Sequence, residues 1–160
     1  MSWWLLSAVL LTAPFALAAL TGAPYLPTLA SHHRPVLALA ALEPGQTLVD
    51  LGSGDGRLLR AAAARGVRCI GYEINPLLWL VSRLVTWRHR HLVTVHLGSY
   101  WSARLPPADV IYIFPIARMM SRLDAKLRAE TTTPTTVVSL AFELPRTPIA
   151  RVGPVTSYSY

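Results

Sequence analysis

Eight carboxylates are all that this 160-residue chain possesses, and three of them, Asp50, Asp55 and Glu73, fall within one short reach. Asp50 closes an apolar run and leads into the stretch LVDLGSGDGRLL, where Gly52, Gly54 and Gly56 alternate with Ser53 and Asp55. Glycines so spaced let the chain turn sharply and bring bare backbone against a ligand. Gly56 opens a helical segment, whose first N–H groups point toward the same place. A dinucleotide fingerprint would need glycine at position 57, where Arg57 stands. A phosphate loop would need lysine and a hydroxyl residue where Leu58 and Leu59 stand. Two carboxylates would also repel a pyrophosphate, whereas they would attract a cation. The chemistry indicated is the cradling of a positively charged ligand.

S-adenosylmethionine meets that description, with a sulfonium, an ammonium and no phosphate. Asp50, at a strand end, is expected to meet the ammonium directly or through water. Glu73 ends the next strand at the interval usual for an acid that accepts hydrogen bonds from ribose hydroxyls. Asn75, two residues on, is counted with the donor-binding group and is also a candidate N-cap, with Pro76 at the first helical position. No Cys/His set has metal-ligand spacing, and no metal is expected.

The elements that position these residues alternate regularly. QTLVDLG, VRCIGYE, HLVTVHL, ADVIYIF and TTVVSLAF read as strands, and the tail after Pro148 holds one or two more. A short helix is predicted from about Pro35 to Leu42, another over GRLLRAAAARG, and a long one over NPLLWLVSRLVTWRHR. In the last, Leu77, Leu80, Val81, Leu84 and Val85 follow helical spacing, the mark of a helix that buries one face. Ile116, Met119, Met120, Leu123 and Leu127 form a second such stripe. Strands alternating with helices give an α/β fold, a doubly wound, mostly parallel Rossmann-like sheet. Ligands bind such sheets beyond the carboxyl ends of the strands, where the glycines lie.

Residues 1–23 are set apart as a domain boundary from 24–160. Trp3 to Leu20 carries no charge, and as a helix it would span about 27 Å, near the thickness of a hydrocarbon core. A membrane-anchor helix is expected, in preference to a docked helix or a signal peptide. The first basic side chain is Arg34, so the domain is expected on the cytoplasmic side of a membrane, the bacterial inner membrane in particular. The formal charge of +7 reflects fourteen scattered arginines and Lys126, and abundant Ala, Arg and Pro fit compositional drift as well as an anionic partner. Cys69 is alone, which excludes an intrachain disulfide.

The sequence resembles the class I S-adenosylmethionine-dependent methyltransferases, and more narrowly the small membrane-anchored protein-lysine methyltransferases of bacteria and mitochondria. The resemblance rests on the apolar N-terminus, Pro24-Tyr25-Leu26-Pro27, Asp50 to Arg57, Gly71 to Pro76, Trp101, Leu123 with Lys126-Leu127, and Phe142 with Leu144-Pro145. It implies a protein substrate presenting a lysine, often in a membrane-embedded protein, and places Tyr25 near the active site. It also implies an acid after the third strand to hold the adenine amino group, where this chain has Ser99, a weaker acceptor.

A lysine nucleophile must arrive neutral, which a desolvating pocket promotes by lowering its pKa. Tyr25, Phe114 and Pro115 are the candidate walls, and Tyr25 is also a candidate to hold or remove a proton. Enzymes that methylate nucleic-acid amino groups carry [DN]-P-P-[YF] after the fourth strand, where this chain has Phe114-Pro115-Ile116-Ala117, so nucleic acid is not the expected acceptor. A small-molecule or lipid-headgroup methyltransferase and a non-catalytic S-adenosylmethionine-binding membrane scaffold stand as alternatives.

Overall fold

The structure is a computed structural model that describes residues 3–4 and 30–160. Seven strands, β1 (Thr47–Leu51), β2 (Arg68–Glu73), β3 (Val93–Leu97), β4 (Val110–Ile113), β5 (Thr136–Leu140), β6 (Ala150–Val152) and β7 (Val155–Ser159), form one sheet in the order β3-β2-β1-β4-β5-β7-β6. The first five run parallel, and β7 inserts antiparallel between β5 and β6. Strand order reverses at β1, where the chain goes first toward β2 and β3 and then crosses to β4. Asp50 pairs in register with Gly71 on one side and Tyr112 on the other. The strand carrying the glycine loop is therefore an interior one at the switch point.

Among the described residues four helices cover the sheet: α1 (Ala30–Ala40), α2 (Arg57–Ala63), α3 (Pro76–Val85) and α4 (Met120–Glu130). Alternation along the strands divides the core in two. Leu48, Cys69, Val110 and Val138 face Val36, Leu37 and Ala40 of α1 and Leu58, Leu59 and Ala62 of α2. Val49, Ile111, Ile113 and Val137 face Met120, Leu123 and Leu127 of α4, so this part of the second predicted stripe is core as expected, while Ile116 and Met119 precede the helix and are only partly buried. Helix α1 starts earlier than the predicted Pro35, which lies inside it. Burial of Val36, Leu37 and Ala40 offsets the lost backbone donor, and Ala41 turns left-handed (φ 45°) to end the helix.

Helix α3 departs most from expectation. It stops at Val85, and a short 3-10 turn, Trp87–His89, follows. Thr86 Oγ1 donates to the carbonyl of Ser82 at 2.7 Å, which competes with continued helix. Its apolar stripe faces outward: Leu80 is 49% exposed, Val81 41% and Leu84 66%. The buried side carries Ser82 and Thr86 instead. Ser82 packs against Gly56, where any side chain would collide with its Oγ. Small residues bring α3 close to the glycine loop, and that contact decides which face points in.

The anchor helix expected over residues 1–23 lies outside the described residues except for Trp3 and Trp4, both exposed. Among the described residues no helix is long and apolar enough to cross a membrane.

Candidate active site

The glycine loop takes the backbone shape that its sequence requires. Gly52, Gly54 and Gly56 all have positive φ (109°, 55° and 77°), a region costly for other residues. Tyr72, next to the end of β2, holds the loop's start: its carbonyl accepts from the N–H groups of Gly52 (3.0 Å) and Ser53 (2.9 Å). The loop then lies down on Glu73, whose Oε2 accepts the Gly54 N–H at 2.8 Å while Oε1 accepts the Asn75 N–H at 2.8 Å. Asn75 caps α3 as predicted, its Oδ1 accepting from Leu77 and Leu78.

Asp50 is 2% exposed, and its Oδ1 is buried with no hydrogen-bond partner. Ser53 Oγ and Asn75 Nδ2 are buried and unsatisfied too. Three orphaned polar atoms on three adjoining segments are costly in a finished core. Burial, and after it the charges of Glu73 and Asp55, pushes the Asp50 carboxyl up from 3.8 to about 8. Burial also raises Glu73, opposed by its backbone hydrogen bonds. A ligand with a cationic donor for Asp50 and an acceptor for Asn75 Nδ2 would relieve both the field and the missing bonds, so these residues fit the sulfonium, ammonium and carboxylate of S-adenosylmethionine.

The other predicted residues are placed less directly. Asp55, in the loop, pairs with Arg57 at the start of α2 at 2.7 Å, so part of its charge is already answered. Ser99 reaches the site through its neighbour, since the Gly98 N–H donates to the Glu73 carbonyl at 2.8 Å. Its Oγ accepts from the Trp101 N–H at 3.2 Å, leaving one lone pair and its hydroxyl proton for a ligand. Phe114 and Pro115 follow Ile113, which pairs with Leu51. Pro115 is buried, and Phe114 is half-buried against the α1–α2 side of the core. Tyr25 lies outside the described residues.

Sequence reasoning missed two supports. A Cβ on Gly71 would lie 2.7 Å from Leu59 Cδ1 and 2.8 Å from Ser53 Oγ, so this glycine lets β2 approach the loop. Its signal was legible, a lone glycine inside an apolar strand. Lys126, named in the sequence only in the charge count and as part of the resemblance, is the second. Its Nζ donates to the Ala103 carbonyl (2.7 Å) and to Glu130 (2.6 Å), while Glu130 accepts the Leu105 N–H at 2.8 Å. Together they tie the segment after Ser99 to α4. Arg122, also on α4, stacks over Trp101 at 4.3 Å.

Residues 50–151 match the family model of the ANTKMT methyltransferase domain. The chain is 38% identical over 134 residues to the adenine nucleotide translocase lysine N-methyltransferase of Mus musculus, covering 81% of this chain and 58% of that one. It is 33% identical over 124 residues to a Xenopus laevis lysine N-methyltransferase whose named target is a subunit of ATP synthase, covering 76% and 54%. The chain thus spans little more than half the length of these relatives. Among solved structures, an RNA methyltransferase from Salinibacter ruber in complex with S-adenosyl-L-homocysteine is similar, with a TM-score of 0.76 and 30% identity over 84% of this chain and 92% of that one.

Proposed function

Because this chain belongs to the ANTKMT methyltransferase family, we propose that it is an S-adenosylmethionine-dependent methyltransferase that N-methylates lysine side chains of a protein, and of a membrane-embedded protein in particular. One observation carries the donor assignment: the buried Asp50 carboxylate, with Oδ1 unpartnered, beside Glu73 under a three-glycine loop. The lysine acceptor is supported by the relatives, which are lysine N-methyltransferases.

When bound, S-adenosylmethionine supplies a methyl group already activated on a sulfonium. The protein's part is then mainly positioning. Asp50 answers the donor's positive charge, and Asn75 Nδ2 and Ser53 Oγ offer it hydrogen bonds. Glu73, which holds the loop through Gly54, keeps a lone pair on each oxygen for ribose hydroxyls. Ser99 takes the adenine end. Phe114 and Pro115 form apolar walls that desolvate the incoming ammonium and favour its neutral, nucleophilic form. Tyr25 joins those walls in this reading on the resemblance alone, and residues 1–23 anchor the domain to the inner face of a membrane.

A second reading has one observation in its favour, the likeness to an RNA methyltransferase at 30% identity. Phe114 stands against it, because it occupies the place of the acid or amide that would accept from a base amino group. The test is incubation of membranes from a strain lacking the gene with purified protein and radiolabelled donor. A labelled protein band mapping to a lysine is expected; label confined to RNA or to lipid would overturn the lysine assignment.

A further inference from the structure

The outward face of α3 has no role in donor binding, and its composition is unusual for a surface. Leu80, Val81 and Leu84 lie along one side of the helix, and Trp87, 58% exposed, continues the strip past its end. Ile74 (39%), between β2 and the helix, and Leu97 (52%), which ends β3 in register with Glu73, add apolar surface at the rim. The strip therefore runs from the rim that holds Glu73 and Asn75 to the far end of the sheet. Single exposed apolar residues are ordinary, whereas a contiguous strip marks a surface that meets something.

Charge identifies what it meets. Between Arg57 and Leu97 the sequence has seven arginines, and its one acid, Glu73, is buried in the site. Arg83 stacks on Trp79 and Arg90 on Trp87, holding cations beside aromatic rings. Where α2 and α3 diverge, an open groove of about 690 Å³ is lined by Leu84 and Trp87 together with Arg60 and Arg88. Leucines and a tryptophan ringed by arginines suit acyl chains below anionic headgroups. The chain's own N-terminal segment is a poorer occupant, because α1 enters the fold over β5, β6 and β7, at the other end of the sheet from α3.

We infer that α3 and the groove beside it form a membrane-surface face, which lies on an anionic bilayer with Leu84 and Trp87 inserted and Arg60, Arg83 and Arg88 against lipid phosphates. This goes beyond methyl transfer and does not depend on it. It holds the donor-binding rim at headgroup level, where lysines of membrane proteins are presented.

The experiment reads this face directly in the full chain, whatever else binds the membrane. Cys69 is the chain's one cysteine and is 1% exposed, so Leu84→Cys places the environment-sensitive fluorophore NBD at position 84 alone. Ala125→Cys, exposed on α4 across the sheet, serves as control. With vesicles of phosphatidylcholine plus phosphatidylglycerol, label at position 84 is expected to brighten and shift blue, while label at 125 stays as in water. Arg88→Gln should weaken the response about fivefold. Label at 84 that stays in water on these vesicles overturns the inference. So does label already in apolar surroundings without vesicles, which assigns the face to a second copy if concentration-dependent and to the N-terminal segment if not. A response to single-stranded RNA but not to vesicles overturns it as well.

Discussion

Replacing Asp50 by asparagine should stabilise the protein while removing its capacity to hold the donor. The Asp50 carboxyl is pushed up from 3.8 to about 8 in the folded protein, chiefly by burial. An acid raised in this way favours the folded state only while protonated. Its penalty is absent below its unfolded value, near pH 4, grows as the pH rises, and is complete above about pH 8. At 1.36 kcal/mol per pH unit, the gap of about four units sets an upper limit of about 6 kcal/mol. Relaxation around the site should leave about 2 kcal/mol of it. The asparagine amide has nearly the same shape as the carboxylate and no charge, so Asp50→Asn should unfold at higher urea than the wild type near pH 9, with the gap closing toward pH 5. Calorimetric titration with S-adenosylmethionine should show binding weakened at least about a hundredfold, the loss of a buried charge-assisted contact of about 3 kcal/mol. A variant no more stable than the wild type at alkaline pH would refute the strained-carboxylate reasoning, and so would a gap that widens on acidification. Undiminished donor affinity would remove Asp50 from the site.

Three other changes probe the supports of the cradle. Gly71→Ala forces a methyl group against Leu59 and Ser53 and should cost about 2 kcal/mol in urea unfolding, with donor affinity falling because Ser53 belongs to the loop. Ser99→Asp keeps an acceptor for the Trp101 N–H and offers the adenine amino group a charged oxygen, so calorimetry should show donor affinity about fivefold higher. Lys126→Met frees the Ala103 carbonyl and removes the ion pair of Glu130, which keeps only the Leu105 N–H, so amide exchange should quicken over residues 99–105 and the donor should bind more weakly, although Lys126 touches none of the predicted donor-binding residues.

The parts of the site that were legible in the sequence are those where residue type alone carries the constraint. Glycines at 52, 54 and 56 are needed for positive φ, and an acid at a strand end beside them has few structural uses. The strands were legible for a related reason: β1, β2 and β4 are flanked by turn residues and built from apolar residues that suit a sheet covered on both faces. What stayed hidden depends on who the neighbours are. That Asp50 Oδ1 lacks a partner, or that Glu73 is engaged by the loop it was expected to serve alongside, follows from packing between segments distant in the chain. The Gly71 contact is of the same kind, even though its glycine stood in plain view.

Helix α3 shows why periodicity can find a face and still misplace it. Leu77, Leu80, Val81 and Leu84 announce an apolar side, but the spacing does not say whether that side turns to the sheet. What turns it outward is the pairing of two small residues, Gly56 and Ser82, which lets the polar side of the helix approach more closely than leucines would allow. Asn75 then fixes the other end, capping α3 with Oδ1 while its Nδ2 stays unsatisfied beside the site. The residues that set the tilt of α3 are thus shared with the donor cradle. A bilayer over the outward strip presses on Leu84, and α3 carries that load to Ser82 against Gly56 and to Asn75 at its N-cap. A Ser82→Leu substitution should therefore disturb donor affinity and membrane contact together, whereas Leu84→Gln should weaken only the membrane contact.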